Sequence, residues 1–137
     1  MPLQTDDELR QILETAKTVA VVGYSNKPDR PSYEITQALK SWGYKVFPVN
    51  PTIQSTPEVP VYASLADIPE KVDVVDVFRR AEDVPGVVEE AIQIGAKTVW
   101  MQLGIVSDEA ANLAEAAGLK VVMDHCIKVE HKRLIHE

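Results

Sequence analysis

Thr18-Val19-Ala20-Val21-Val22-Gly23 is apolar without alternation. A strand with one wet face alternates apolar and polar residues, whereas a strand covered on both faces does not, so this run predicts a central strand of a parallel sheet. Two similar runs follow, Asp73 to Phe78 and Thr98-Val99-Trp100-Met101-Gln102-Leu103, and Lys120 to Met123 supplies a last strand. Lys45-Val46-Phe47-Pro48-Val49-Asn50-Pro51 reads as a further strand ended by Asn-Pro, in which Pro48 requires an unpaired or bulged N–H position. Val61-Tyr62 reads as a short strand after the loop from Thr52 to Pro60.

Helical spacing fills the intervals. Thr5-Asp6-Asp7-Glu8 forms a capping box, and Leu9, Ile12, Leu13 and Ala16 continue it as one apolar face. Ile35, Ala38, Leu39 and Trp42 repeat in the same way before Gly43, as do Val84, Val87, Val88, Ala91 and Ile92 before Gly95. Ser107-Asp108-Glu109 caps a helix with Ala110, Leu113, Ala114 and Ala117 on its inner face and Gly118 at its end. Ser64 to Glu70 reads as a helical turn, and Ile127 to Ile135 as a short basic tail without assigned shape. Strands alternating with helices give a doubly wound α/β domain, Rossmann-like, with a mostly parallel sheet of five or six strands and helices on both faces. The 137 residues fit one such domain, 1–137, with no repeat or linker.

Hydrophobic residues make up 45% and charged residues 26%, and the formal net charge is −7. This balance predicts a folded soluble protein and disfavours broad contact with nucleic acid or an anionic membrane. The single cysteine, Cys126, leaves no internal disulfide. The first residues are amphipathic, without the pattern of a secretory leader. No apolar run approaches the roughly 20 residues of a membrane helix. The cytoplasm is the expected compartment.

A ligand on such a sheet sits beyond the carboxyl ends of the strands, where the strand order reverses. The loop from Gly23 to Ser32 opens a helix whose first N–H groups favour an anion, and Lys27 and Arg30 add charge suited to phosphate. The same loop also reads as a plain helix cap with two solvated cations. A dinucleotide fingerprint fails here, because Ser25 and Pro28 stand at the second and third glycine positions. Asn50-Pro51 stands where an NAD site wants a carboxylate. Asn50 suits an adenosine contact that leaves room for a ribose phosphate, and equally suits a turn before Pro51. Arg79 and Arg80 follow a strand and point to a local anion site, or else pair with Glu82 and Asp83.

Reactive chemistry is sparse. Cys126 lies beside His125 and near His131, but a lone cysteine at a strand end reads first as a small buried hydrophobe. Three histidines near the C-terminus, without a thiol pair, give no metal set. Asp73 and Asp76, three apart, fall on opposite faces of a strand and cannot work as a pair; Asp76 is expected to anchor a neighbouring loop or arginine. The first strand lacks the acidic end of a phosphoacceptor domain.

Taken together, Val21-Val22-Gly23-Tyr24-Ser25, Arg30-Pro31-Ser32, Gly43-Tyr44-Lys45-Val46, Pro48-Val49-Asn50-Pro51, Val77-Phe78-Arg79-Arg80, Trp100-Met101-Gln102-Leu103-Gly104 and Asp124-His125-Cys126-Ile127-Lys128 resemble a known family. It is that of the small CoA-binding proteins similar to the N-terminal CoA-binding domain of the succinyl-CoA synthetase α-subunit. The resemblance implies coenzyme A as ligand. It implies that Gly23, Tyr24, Ser25 and Asn26 receive the phosphates, with Ser32 in the same segment, and that Val49, Asn50 and Pro51 line the nucleotide end. Arg30, Lys45 and Arg79 become phosphate candidates.

Phe78, Arg79 and Arg80 stand where the ligase domain has a proline-rich turn, and Gln102-Leu103-Gly104 where it has an acidic Glu-Gly pair. The ligase's phosphorylated histidine belongs to a second domain, which this chain is too short to contain. The resemblance therefore implies CoA or acyl-CoA binding as a carrier or regulatory module, with neither catalytic residues nor a metal. An NAD(P)-binding oxidoreductase-like domain is one alternative. Another is an interaction subunit with a vestigial pocket, using Trp42 or Trp100 in a dimer face, although both tryptophans lie on core-facing patterns. A homodimer or a protein partner stays open.

Overall fold

A computed structural model of the chain describes residues 5–135. The first helix, α1 (Asp6–Thr15), begins with the expected capping box: the Glu8 N–H donates to Thr5 Oγ1 at 3.2 Å and the Thr5 N–H donates to Glu8 Oε1 at 2.8 Å. Five strands follow, β1 (Thr18–Val22), β2 (Lys45–Val49), β3 (Val74–Val77), β4 (Thr98–Met101) and β5 (Lys120–Val122). They form one sheet in the order β2-β1-β3-β4-β5, with every pair parallel. The helices between and after them are α2 (Pro31–Ser41), α3 (Val84–Gln93), α4 (Asp108–Ala116) and α5 (Ile127–Leu134).

The lack of alternation in β1 has the predicted cause. Ala20 and Val22 join the core under α3 and α4, while Val19 and Val21 join the core under α1, α2 and α5. Both sets are removed from water, so both must be apolar. Pro48 is tolerated because β2 is a terminal strand of the sheet. Its neighbour Asn50 donates its N–H outward to the Tyr62 carbonyl at 2.9 Å, so Pro48, two residues earlier, turns its missing donor to the same outer side. Val61-Tyr62 is a single parallel bridge to Val49 and not a sixth strand, and Ser64 to Glu70 contains one 3-10 turn, Leu65–Asp67.

The C-terminal segment, to which the sequence assigns no shape, forms a helix, α5. Ile127, Glu130, His131 and Leu134 are its buried positions, spaced for one helix face. Two of the four are polar, which hides the periodicity. Glu130 is held by Arg133 at 2.5 Å, and the His131 ring stacks on Trp42 with centroids 3.9 Å apart. Trp42 is thereby half-buried, whereas Trp100 is fully enclosed.

The anchoring role expected of Asp76 falls instead to Asp73. Asp73, just before the strand, is the anchor: its Oδ2 accepts the N–H groups of Lys17 at 2.7 Å and Thr18 at 3.2 Å, fixing the start of β1. Burial opposes ionisation of that carboxyl, but these two donors and Lys97 together hold it below its ordinary range. Asp76 anchors nothing among the described residues. It is fully buried between Val21 and Trp100 in register, and neither carboxyl oxygen has a hydrogen-bond partner. Burial pushes its carboxyl well above the ordinary value of 3.8, which favours the protonated form in the folded chain.

The sign of the resulting pH effect follows. Between the unfolded value and the raised folded one, the unfolded chain has released a proton that the folded chain retains, so stability falls as pH rises through that window. Asp76→Asn exchanges one neutral buried group for another and removes that loss. It is expected to raise stability at pH 7 and to flatten the slope, as read by urea unfolding between pH 5 and 8. A variant less stable than the parent at pH 7 would show that the carboxyl is ionised and compensated in the folded chain.

Candidate functional site

Strand β1 is followed by β2 on one side and by β3 on the other, so the strand order reverses at its carboxyl end. There the twist opens a crevice in sheets of this kind. Gly23 occupies that point. Its φ is +88°, and a Cβ on it would lie under 3.0 Å from the Phe78 carbonyl oxygen and 3.1 Å from Arg79 Cδ. Only glycine lets the first loop pass so close to the end of β3. The Gly23 and Tyr24 N–H groups both donate to the Val49 carbonyl, at 3.0 and 3.3 Å, which ties the loop to β2 as well.

Side chains within the loop brace it. The Ser25 N–H donates to Ser32 Oγ at 2.9 Å, and the Lys27 N–H donates to Ser25 Oγ at 3.2 Å. Asn26 is exposed, as is Pro51 across the crevice. Pro31 opens α2, and Arg30 at the N-cap contributes no side-chain cap, so the positive end of the helix faces the loop uncovered. Asn50 is engaged at both ends of its amide: Nδ2 donates to the Tyr24 carbonyl at 2.8 Å, and Oδ1 accepts from both the N–H and the hydroxyl of Thr52 at 2.8 Å. Its role in the structure is the turn before Pro51, which also locks Tyr24. The Tyr24 ring is buried in the core under α2 beside Tyr33, and burial raises its hydroxyl's pKa.

Of the five candidate cations, Lys27 is exposed in the loop, and the other four separate into three groups. Arg79 is half-buried, lies against Gly23, and forms no ion pair among the described residues. Arg30 is exposed at the start of α2 and likewise has no ion-pair partner among them. Arg80 is taken up by Glu82 at 3.5 Å and Asp83 at 3.2 Å, the local pairing that its neighbours allow. Lys45 is not brought to the crevice: it begins β2, opposite Thr18, at the amino edge of the sheet, where it pairs with Glu70. A residue at the start of a parallel strand cannot reach a ligand bound beyond its end.

Next to the crevice lies a cavity of about 510 Å³, lined by Pro31, Ile35, Phe78, Arg79, Arg80, Gln102, Leu103, Ile105 and Cys126. Phe78, Arg79, Arg80 and Gln102 were expected at a site. Pro31, Ile35, Ile105 and Cys126 were not, since they come from separate segments that only the folded domain assembles. The rule that sites gather at strand ends, extended to β5, would have pointed to Cys126. Gln102 is 5% exposed, and its Oε1 accepts the Ile127 N–H at 3.1 Å, tying β4 to α5. Gly104 turns with φ +86° and donates its N–H to Asp124 Oδ1 at 2.7 Å, which closes the rim. Two further hollows, of about 530 and 1060 Å³, are lined in part by the strand-starting residues Thr98 and Lys120 and by Thr18 and Lys45, at the opposite edge of the sheet. Among the described residues, no helix is long and apolar enough to cross a membrane, and no group of three or more His, Cys, Asp or Glu side chains could hold a metal ion.

Comparison with known proteins agrees with this geometry. The model of the CoA binding domain family matches residues 17–132. The uncharacterized protein YneT of Bacillus subtilis is 44% identical over 124 residues, which cover 90% of this chain and 92% of YneT. The ADP-forming acetate–CoA ligase II of Archaeoglobus fulgidus is 33% identical over 117 residues, but these are 82% of this chain and only 17% of the ligase. Among solved structures, a hypothetical protein from Pyrococcus horikoshii OT3 superposes with a TM-score of 0.94 at 39% identity, covering 99% of this chain and 96% of that one. From the strand order, the crevice at Gly23 and the span of the family match, the chain belongs to the CoA-binding domain family and is similar to one part of the ADP-forming acetate–CoA ligases.

Proposed function

We propose that the chain binds coenzyme A or acyl-CoA at the carboxyl edge of the sheet, as a carrier or regulatory module. The observation that carries this is Arg79, a half-buried guanidinium without an ion-pair partner among the described residues, laid against the tight Gly23 loop at the strand-order reversal. A buried or half-buried cation normally acquires an anionic partner. The uncapped start of α2 and Arg30 add positive potential on the same side, which suits a pyrophosphate and a ribose phosphate. The chain spans about a sixth of the A. fulgidus ligase, so it is binding and not ligation that we assign to it.

Isothermal titration with CoA tests the proposal. Saturable binding is expected, with Arg79→Ala weakening it about ten- to a hundredfold, the worth of a charge-assisted hydrogen bond. Lys45→Ala, at the far edge, should leave the affinity unchanged. Absence of binding by the parent protein at low salt would overturn the assignment. Equal losses from Arg79→Ala and Lys45→Ala would show that the ligand sits elsewhere.

A further inference from the structure

We propose that the cavity beside the crevice receives the acyl end of an acyl thioester, and that its chemistry selects short, uncharged, apolar acyl groups over free CoA. This rests on the CoA assignment above and specifies which thioester the site prefers.

The inference starts from Gln102. Its side chain is almost wholly enclosed, and the Ile127 N–H occupies Oε1, so the amide can present only its Nε2 donor to the remaining space. That nitrogen makes no hydrogen bond with any described residue. It is not among the fully enclosed polar atoms left without a partner, so it meets the open space of the cavity, where it can donate to an acceptor on a bound ligand. A free thiol is a poor acceptor. A thioester carbonyl oxygen is a good one, and it stands one atom from the sulfur.

Beyond Gln102 the walls are apolar: Ile35, Phe78, Ile105 and the half-buried Cys126. The lining holds no carboxylate that would pair with a cationic acyl group. Arg79 lies toward the Gly23 loop, where a phosphate competes for it, and Arg80 is already paired with Glu82 and Asp83. An acyl group with its own carboxylate would therefore be desolvated against apolar walls without a free partner. A short saturated chain meets no such cost and gains about fourfold in affinity for each buried methylene.

The test compares CoA, acetyl-CoA, butyryl-CoA and succinyl-CoA by isothermal titration against the full chain. Butyryl-CoA is expected to bind on the order of tenfold more tightly than acetyl-CoA, following the same methylene increment, with succinyl-CoA weaker than butyryl-CoA. Gln102→Glu keeps an oxygen for the Ile127 N–H while replacing the donor with an acceptor, and should bring the acetyl-to-CoA affinity ratio close to one while leaving the butyryl-to-acetyl ratio in place. Ile105→Trp, on the half-buried rim, should reverse the order of butyryl and acetyl by filling the space. Equal affinities for CoA, acetyl-CoA and butyryl-CoA, or a gain confined to succinyl-CoA, would overturn the acyl pocket while leaving CoA binding intact. No binding by any of the four would overturn the CoA assignment itself.

Discussion

Gly23→Ala is expected to lose at least about 3 kcal/mol of folding stability, a large share of the roughly 5–15 kcal/mol that holds a domain folded. Two penalties coincide at this residue. The first is conformational: its φ of +88° costs a residue with a Cβ about 1–2 kcal/mol. The second is steric, because the added carbon would enter the backbone of Phe78, which cannot retreat while its N–H donates to the Val22 carbonyl at 2.8 Å. Gly104→Ala separates the two. Gly104 has nearly the same φ, +86°, yet nothing lies within 4 Å of a Cβ placed there. It should lose only the conformational part, about 1–2 kcal/mol. Urea denaturation of both variants measures the difference. Similar losses in the two would refute a close approach of the loop to β3, and with it the crevice as described.

The second large effect is expected at Trp100. Its ring is fully buried in the middle of the sheet, and its indole N–H donates to the His125 carbonyl at 2.9 Å. Trp100→Ala should cost about 3–5 kcal/mol, from the lost apolar contact and the cavity it leaves. Trp100→Phe keeps most of the packing but strands the His125 carbonyl, and should cost about 1–2 kcal/mol. His125 directly precedes Cys126 in the wall of the candidate acyl cavity, so the phenylalanine variant should also weaken acyl discrimination while the sheet persists. Urea unfolding and thioester titration on the same protein test both statements. A Trp100→Ala variant within 1 kcal/mol of the parent would mean that the site collapses around the deletion without strain.

Much of the fold is legible in the sequence because its strongest signals are local. The capping box at Thr5, the unbroken apolar run of β1, and the glycine stops after α2, α3 and α4 each express a constraint that acts within a few residues. The misread parts depend on partners far away in the chain. Helix α5 hides behind Glu130 and His131, whose burial is made acceptable by Arg133 and Trp42. Asp73 and Asp76 look alike in sequence, and only the position of Lys17 and Thr18 relative to β3 makes the first an anchor and leaves the second alone.

The candidate site divides in the same way. Gly23, Arg79 and Gln102 are visible because strand ends are predictable. Lys45 entered through resemblance, although its place at the start of β2 puts it on the wrong edge. The cavity wall is invisible from any one segment, since α2, the two loops after β3 and β4, and the turn before α5 each contribute to it.

The solitary carboxyl on β3 also affects how the folded molecule is counted. The formal charge of −7 treats every aspartate as ionised, but burial favours the neutral form of one of them in the folded chain. Opening the sheet hands that hydrogen ion to the solvent, so the calorimetric heat of denaturation contains the ionisation heat of whichever buffer accepts it. Scans in phosphate and in Tris at the same pH should therefore differ, and the difference should vanish when Asp76 is replaced by asparagine.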